Sequence, residues 1–345
     1  MRKNKLYIFI VLAFTTLSGF AQQDPQFTQY MYTLLPINPG YTGTGGICAT
    51  FNFRQQWAGF KETCTDQSSA FYGQTYNVSP RDIMLTVHAP IKALHGGLGL
   101  SVYTDKYGHQ NDIMVKLAYA FQCNLGSGTL GIGLDAELMS RKVNGDFWGG
   151  RSGDNTIISS LLNKTTNDMY VDISFGVYYQ VPDKWYAGIS ATQLLSTVGG
   201  DKVEQSAARH FYAVGGYSFV MPSNPNWMLK PSALLKTDFK SVQLDATLLA
   251  DWNNGLLWFG ASYRIVDCVA LLVGTRPFAN ATNNALRGLE LGVSYDINTS
   301  KLINEGRSFG GPEVMLKYCF KIVRTPPTYG YKGTRLLGNK PIEYR

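Results

Sequence analysis

The sequence predicts an all-β fold, a transmembrane antiparallel up-and-down β-barrel of about 14 strands. Three observations lead there. Apolar and polar side chains alternate with a period of two along most of the chain, a secretion signal stands at its start, and no apolar run is long enough to cross a bilayer as a helix. The segment from Arg287 to Asp296 has the pattern in its cleanest form. Leu289, Leu291, Val293 and Tyr295 fall on one face, and Gly288, Glu290, Gly292, Ser294 and Asp296 on the other.

Residues 1–21 read as a signal peptide, with Arg2, Lys3 and Lys5 ahead of the apolar stretch from Leu6 to Leu17 and cleavage expected before Gln22. About 12 apolar residues are too few for a membrane-spanning helix. Residues 22–46 alternate poorly and form an N-terminal segment, either a periplasmic strap or a plug entering the barrel. The barrel follows over 47–321, then a tail over 322–345.

Alternating runs bounded by turn residues place strands at 47–57, 82–90, 96–104, 111–122, 129–140, 170–180, 184–192, 209–219, 228–236, 241–250, 255–264, 267–275, 287–296 and 312–320. The even count suits a closed barrel with both termini in the periplasm. The longest connections, 58–81, 141–169 and 193–208, are then all on the outer side, and tight turns such as Val181-Pro182-Asp183 on the inner one. The connection 276–286 is long for an inner turn. Trp57, Tyr103, Trp185, Trp227, Trp258 and Tyr263 lie near strand ends, where they suit aromatic girdles. A soluble β-sandwich is the competing fold, but it would need two polar outer faces and a bulkier core.

The net charge of +7 belongs to the ends of the chain. The signal carries three cations, and the stretch from Lys321 to Arg345 carries Lys321, Arg324, Lys332, Arg335, Lys340 and Arg345 against Glu343 alone, leaving the body near neutral. That distribution excludes a nucleic-acid footprint, which needs a basic patch on the folded body. Cys48, Cys64, Cys123, Cys268 and Cys319 are scattered and odd in number. They read as small packing residues, not as a metal site. His88, His95, His109 and His210 have no metal-ligand spacing. Gly131-Ile-Gly133 lacks the third glycine of a dinucleotide loop, and Gly149-Gly-Arg-Ser-Gly153 does not fit a nucleophile elbow. No catalytic, cofactor-binding or metal-binding residue is identified, and the chain is expected not to be an enzyme.

Two segments carry a recognisable signature. Gln22-Gln-Asp-Pro-Gln-Phe-Thr-Gln-Tyr-Met31, followed by Pro36-Ile-Asn-Pro-Gly-Tyr-Thr-Gly43, resembles the opening of the PorP/SprF family of the type IX secretion system, as does Phe53-Arg-Gln-Gln-Trp-Ala-Gly-Phe60. The motif positions are Asp24, Pro25, Gln29, Tyr30, Asn38, Pro39, Tyr41, Gly43, Arg54, Trp57, Gly59 and Phe60. The family usually reads Asn-Pro-Ala-Tyr-Ala-Gly where this chain has Gly40 and Thr42, small-for-small changes. The resemblance covers about residues 22–321. It implies an outer-membrane barrel in the Bacteroidota export and gliding machinery.

Many relatives finish at the last strand, whereas this chain continues into a Pro/Gly-broken basic tail. Arg324, Tyr329, Tyr331, Lys332, Arg335, Leu336, Lys340, Tyr344 and Arg345 have the composition of a segment that orders on a periplasmic partner. Three functions are in competition. The first is a component bridging the outer membrane to periplasmic secretion machinery. The second is a cargo-dedicated surface anchor or export partner for a secreted adhesin, using loops 58–81 and 141–169. The third is a passive pore lined by Lys116, Asp135, Glu137, Asp172, Gln180, Asp245, Glu290 and Lys317. Expected partners are outer-membrane lipid, periplasmic secretion components and a cargo, with no nucleic acid.

Overall fold

A computed structural model describes residues 26–63, 72–144, 165–195, 209–265, 267–281, 286–299 and 310–320. The signal segment, Asp24, Pro25, Cys64, most of loop 141–169 and the whole tail 322–345 fall outside the described residues.

Fourteen staves form the wall: β1 (Ile47–Gln55), β4 (Arg81–Ile91), β5 (Gly96–Tyr107), β6 (Gln110–Leu125), β7 (Gly128–Asn144), β8 (Thr165–Val181), β9 (Trp185–Thr192), β10 (His210–Tyr217), β12 (Trp227–Thr237), β13 (Val242–Trp252), β14 (Leu257–Arg264), β15 (Cys268–Thr275), β16 (Leu289–Asn298) and β17 (Gly311–Phe320). Each pairs antiparallel with its neighbours. β1 pairs with β17, and the remaining ends of the sheet meet where β10 pairs with β12, so the barrel is closed. Closure leaves no strand edge unpaired, which a sheet immersed in hydrocarbon requires. A hairpin of β2 (Lys61–Thr63) and β3 (Thr75–Asn77) decorates the first connection, and β11 (Phe219–Val220) extends the β10–β12 turn.

Every expected strand is present. β7 and β8 are longer than their alternation indicated, because the ladder continues from Ser140 to Asn144 opposite Thr165 to Met169. Those positions are mainly polar on both faces, so pairing persists where the apolar signal has stopped.

The apolar face points outward: Leu117, Leu134, Ile189, Leu271 and Val273 are all more than half exposed. The polar face points in, with Asp82, Asp112, Lys116, Glu137, Arg141, Asp245, Arg264, Asp296 and Glu313 buried. Trp185 and Tyr263 face outward as expected, but Tyr103 and Trp258 are buried inside the barrel. Their parity explains it, since Trp258 shares a face with Gly260, Ser262 and Arg264.

The cysteine reading needs correction. Cys48 and Cys319 stand opposite each other in the β1–β17 ladder and form a disulfide, closing a span of 271 residues. Cys123 and Cys268 are free thiols.

Candidate functional site

Residues 26–46 run inside the barrel. Their direction follows from their partners. Gln26 bonds to Asp245 near the start of β13, and Phe27 packs with Met84, Tyr103, Met114, Met139 and Tyr170, all in the half of the barrel next to the long connections. At the other end, Gly43 lies against His88 and Gly97, beside the tight turn between β4 and β5. The segment therefore descends from the long-connection half to the tight-turn rim, where β1 begins.

Irregular backbone usually stays at a surface, because its N–H and C=O groups need partners. Here the wall supplies them. Glu313 accepts the backbone N–H of Thr28 at 2.7 Å through Oε2 and that of Gln29 at 2.9 Å through Oε1. Arg54 donates to the Gln26 carbonyl and pairs with Asp296 at 2.6 Å. Thr28 Oγ1 donates to Asp296 at 2.7 Å, and Arg264 pairs with Asp245 at 3.2 Å. Lower down, Lys317 donates to the Tyr32 carbonyl at 3.3 Å, Lys116 to that of Pro36 at 3.2 Å and Gln122 to that of Thr42 at 2.8 Å. Lys116 also pairs with its register neighbour Glu137 at 3.0 Å.

Polar inward positions thus satisfy the backbone of the inner segment. Burying charges is costly in itself, and such a network serves register and position more than stability. The phenols of Tyr30 and Tyr32 are held above their ordinary pKa by burial. Tyr30 bonds to Ser232 at 3.0 Å, and Tyr32 packs 5.4 Å from the Trp258 ring.

Two short 3-10 turns shape the segment, Tyr30–Tyr32 and Pro39–Tyr41. Asn38 caps the second, its Oδ1 accepting from Gly40 N at 2.9 Å with Pro39 at the first position. The Asn38 amide also donates to the Val177 and Ile189 carbonyls, fastening the turn to β8 and β9. The wall is cut back to receive it. A Cβ on Gly133 would sit 2.4 Å from the Pro39 carbonyl, and one on Gly176 would sit 2.2 Å from Asn38 Oδ1. Gly40 itself is hemmed in, with three backbone atoms of the wall 2.9 Å from where a Cβ would stand.

The described motif residues gather at this segment and at the mouth above it. Gln29, Tyr30, Asn38, Pro39, Tyr41 and Gly43 belong to the segment, and Arg54 is its clamp. The Tyr41 ring meets His88 and Tyr178 edge-on at 5.1 and 5.3 Å. Trp57, Gly59 and Phe60 form the turn after β1, where Phe60 N donates to the Trp57 carbonyl and the two rings lie 6.1 Å apart. Sequence reasoning missed the receiving surface: Gly97, Gly133 and Gly176 fall on inward parity, and glycine there is a readable sign of close backbone approach.

Beneath the segment on one side, a vestibule of about 590 Å³ opens at the tight-turn end, lined in part by Tyr32, Tyr186, Lys230, Asp251 and Arg276. Among the described residues no cluster of His, Cys, Asp and Glu has a metal-holding arrangement.

A closed 14-stranded barrel with an apolar outer face defines an outer-membrane β-barrel protein. The family model for the type IX secretion system membrane protein PorP/SprF matches residues 19–318, and the chain belongs to that family. No curated protein matches it. Among solved structures it is similar to a Pseudomonas aeruginosa FadL homologue, at 13% identity and TM-score 0.40 over 82% of this chain and 93% of that one. It is also similar to the P. putida toluene transporter TodX, at 9% identity and TM-score 0.44 over 81% and 90%. The translocator domain of autotransporter NalP from Neisseria meningitidis is similar at 12% identity and TM-score 0.35 over 84% and 94%.

Proposed function

We propose that this chain is a non-enzymatic structural component of type IX secretion that bridges the outer membrane to periplasmic secretion components. The observation that carries the reading is where the wall ends. β17 finishes at Phe320 on the tight-turn rim, beside the first residue of β1, so the basic segment containing Arg324 to Arg345 starts from that side. Short turns face the periplasm in bacterial barrels, which makes this the periplasmic rim. The vestibule opens on the same side and offers a partner a recess.

Residues 22–46 act as a lumenal plug in this reading. The C-terminus is periplasmic. Its first described residue, Gln26, lies in the opposite half of the barrel, bonded to Asp245. A filled, hydrogen-bonded lumen speaks against a passive pore.

The test is deletion of 322–345. Secretion of type IX substrates should stop while a heat-modifiable barrel remains in the membrane. Normal secretion would overturn the bridging role. If trimming loops 58–81 and 141–169 then ended display of a secreted adhesin, the cargo-anchor reading would replace it.

A further inference from the structure

The outer face of the wall is not uniform at its long-connection end. Antiparallel register sets Gln55 opposite Arg81, Arg81 opposite Lys106, Lys106 opposite Asn111, Asn111 opposite Lys142 and Lys142 opposite Asn167. These positions form one unbroken row across β1, β4, β5, β6, β7 and β8. Their parity is outward, because the residues beside them, Arg54, Asp82, Asp112 and Arg141, are buried in the barrel. The row holds three exposed cations and no carboxylate. Among the described residues none of the three cations forms an ion pair.

Directly below the row the apolar band begins. Leu85, Leu100, Ile113, Leu138 and Met169 are exposed on the same staves. On the far wall the corresponding end positions are Phe211, Thr237, Val242, Tyr263, Val269 and Ile297, all uncharged. The cations there, Arg209 and Lys240, lie in connections and not on the wall. The acids near this end of the same staves, Asp82, Asp105, Asp112 and Asp168, fall on the inward parity.

Strands lie 4.7–4.9 Å apart, so Arg81 and Lys142 are separated by about 14 Å along the row. Long Lys and Arg side chains keep their stems on apolar surface and raise their heads to the polar boundary. Three unpaired cations at that level form a shelf for anionic phosphate, with Arg81 able to bind it in two-pronged fashion.

We propose that the β4–β7 face binds the phosphate-bearing headgroup of a membrane lipid, with Arg81, Lys106 and Lys142 on the phosphates and the acyl chains lying on the apolar band below. A lipid fits better than free phosphate, because the band continues the site and only acyl chains can use it. The assignment holds whichever leaflet that end occupies, and does not depend on the bridging role.

The test uses the full chain in neutral detergent, titrated separately with phosphorylated lipopolysaccharide, its dephosphorylated form, phosphatidylglycerol and inorganic phosphate. A membrane-surface cation contributes about fivefold in affinity, so R81Q/K106Q/K142Q should bind the phosphorylated lipid about 100-fold more weakly than the parent. Loss of phosphate from the glycolipid should have a similar effect, and R209Q/K240Q should bind like the parent. The two phosphorylated lipids tell which headgroup is preferred. Equal binding by parent and triple variant would overturn the proposal, as would equal binding of phosphorylated and dephosphorylated lipid. Displacement by an equal concentration of inorganic phosphate would also overturn it. All three substituted positions are exposed, and retention of heat-modifiable migration verifies that the triple variant is folded.

Discussion

Cys48 and Cys319 face each other across the seam between the first stave and the last, their Cα atoms 4.1 Å apart and their sulfurs bonded. A cross-link over 271 residues removes much of the freedom of the unfolded chain. By the loop-closure estimate its stabilisation is on the order of 5 kcal/mol, an upper bound. Heat-unfolded protein should migrate faster on a gel without reductant than with it. Cys48→Ser or Cys319→Ser should abolish the difference and lower the temperature at which the barrel shifts to its unfolded band. Equal migration with and without reductant would show the seam to be unlinked.

Glu313 holds two backbone N–H groups of the inner segment and lies beside Arg54. Glu313→Gln keeps the shape and loses the charge, and should weaken the seating of the segment by about 2 kcal/mol, the range for hydrogen bonds to charged groups. Arg54→Ala should cost roughly 3–5 kcal/mol, because Asp296 and Glu313 would be left facing each other without it. Hydrogen exchange of residues 26–30 should rise in both variants, more in Arg54→Ala. Unchanged protection would mean that the carboxylates do not hold the segment.

Gly133 and Gly176 leave the space that Pro39 and Asn38 occupy. Valine at either position should push the second turn off the wall at a cost of about 1–3 kcal/mol, typical of overpacking. Faster exchange of residues 36–42 with an intact heat-modifiable barrel is the expected outcome. Loss of the barrel itself would show that the wall needs this contact to form.

Asn38→Ala removes a helix cap and two bonds to β8 and β9, and should act on the same residues by about 1–3 kcal/mol.

In planar bilayers the intact chain should be electrically quiet. Removing residues 26–40 should produce steady conductance through the polar lumen. Conductance already present in the intact chain would point to a path around the segment.

The wall was legible in the sequence because each stave carries its own two-residue alternation, a local signal that needs no partner. β16 shows it without a break from Leu289 to Tyr295. The signal failed where the bilayer stops: the polar ends of β7 and β8 pair without alternating. Parity placed Trp258 and Tyr103 inside, against the pull of their aromatic character. The Cys48–Cys319 pairing was hidden because register between the two ends of a chain appears only when the sheet closes. The inner segment was recognisable as exceptional but not as to course, since its bonds reach residues such as Asp245, Asp296 and Glu313, far along the chain. The tail from Arg324 to Arg345 was singled out on composition alone.

The inner segment precedes β1 in the chain, yet every wall of the finished barrel surrounds it. Its polar backbone is bound by staves from both halves of the sequence, β1 at one end and β17 at the other. A closed cylinder offers such a segment no lateral way in. Residues 26–46 take their place either between the curling halves of the sheet before the last stave docks on the first, or through an open mouth afterwards. Oxidation of Cys48 and Cys319 then pins the seam at the point where the inner segment passes into the wall.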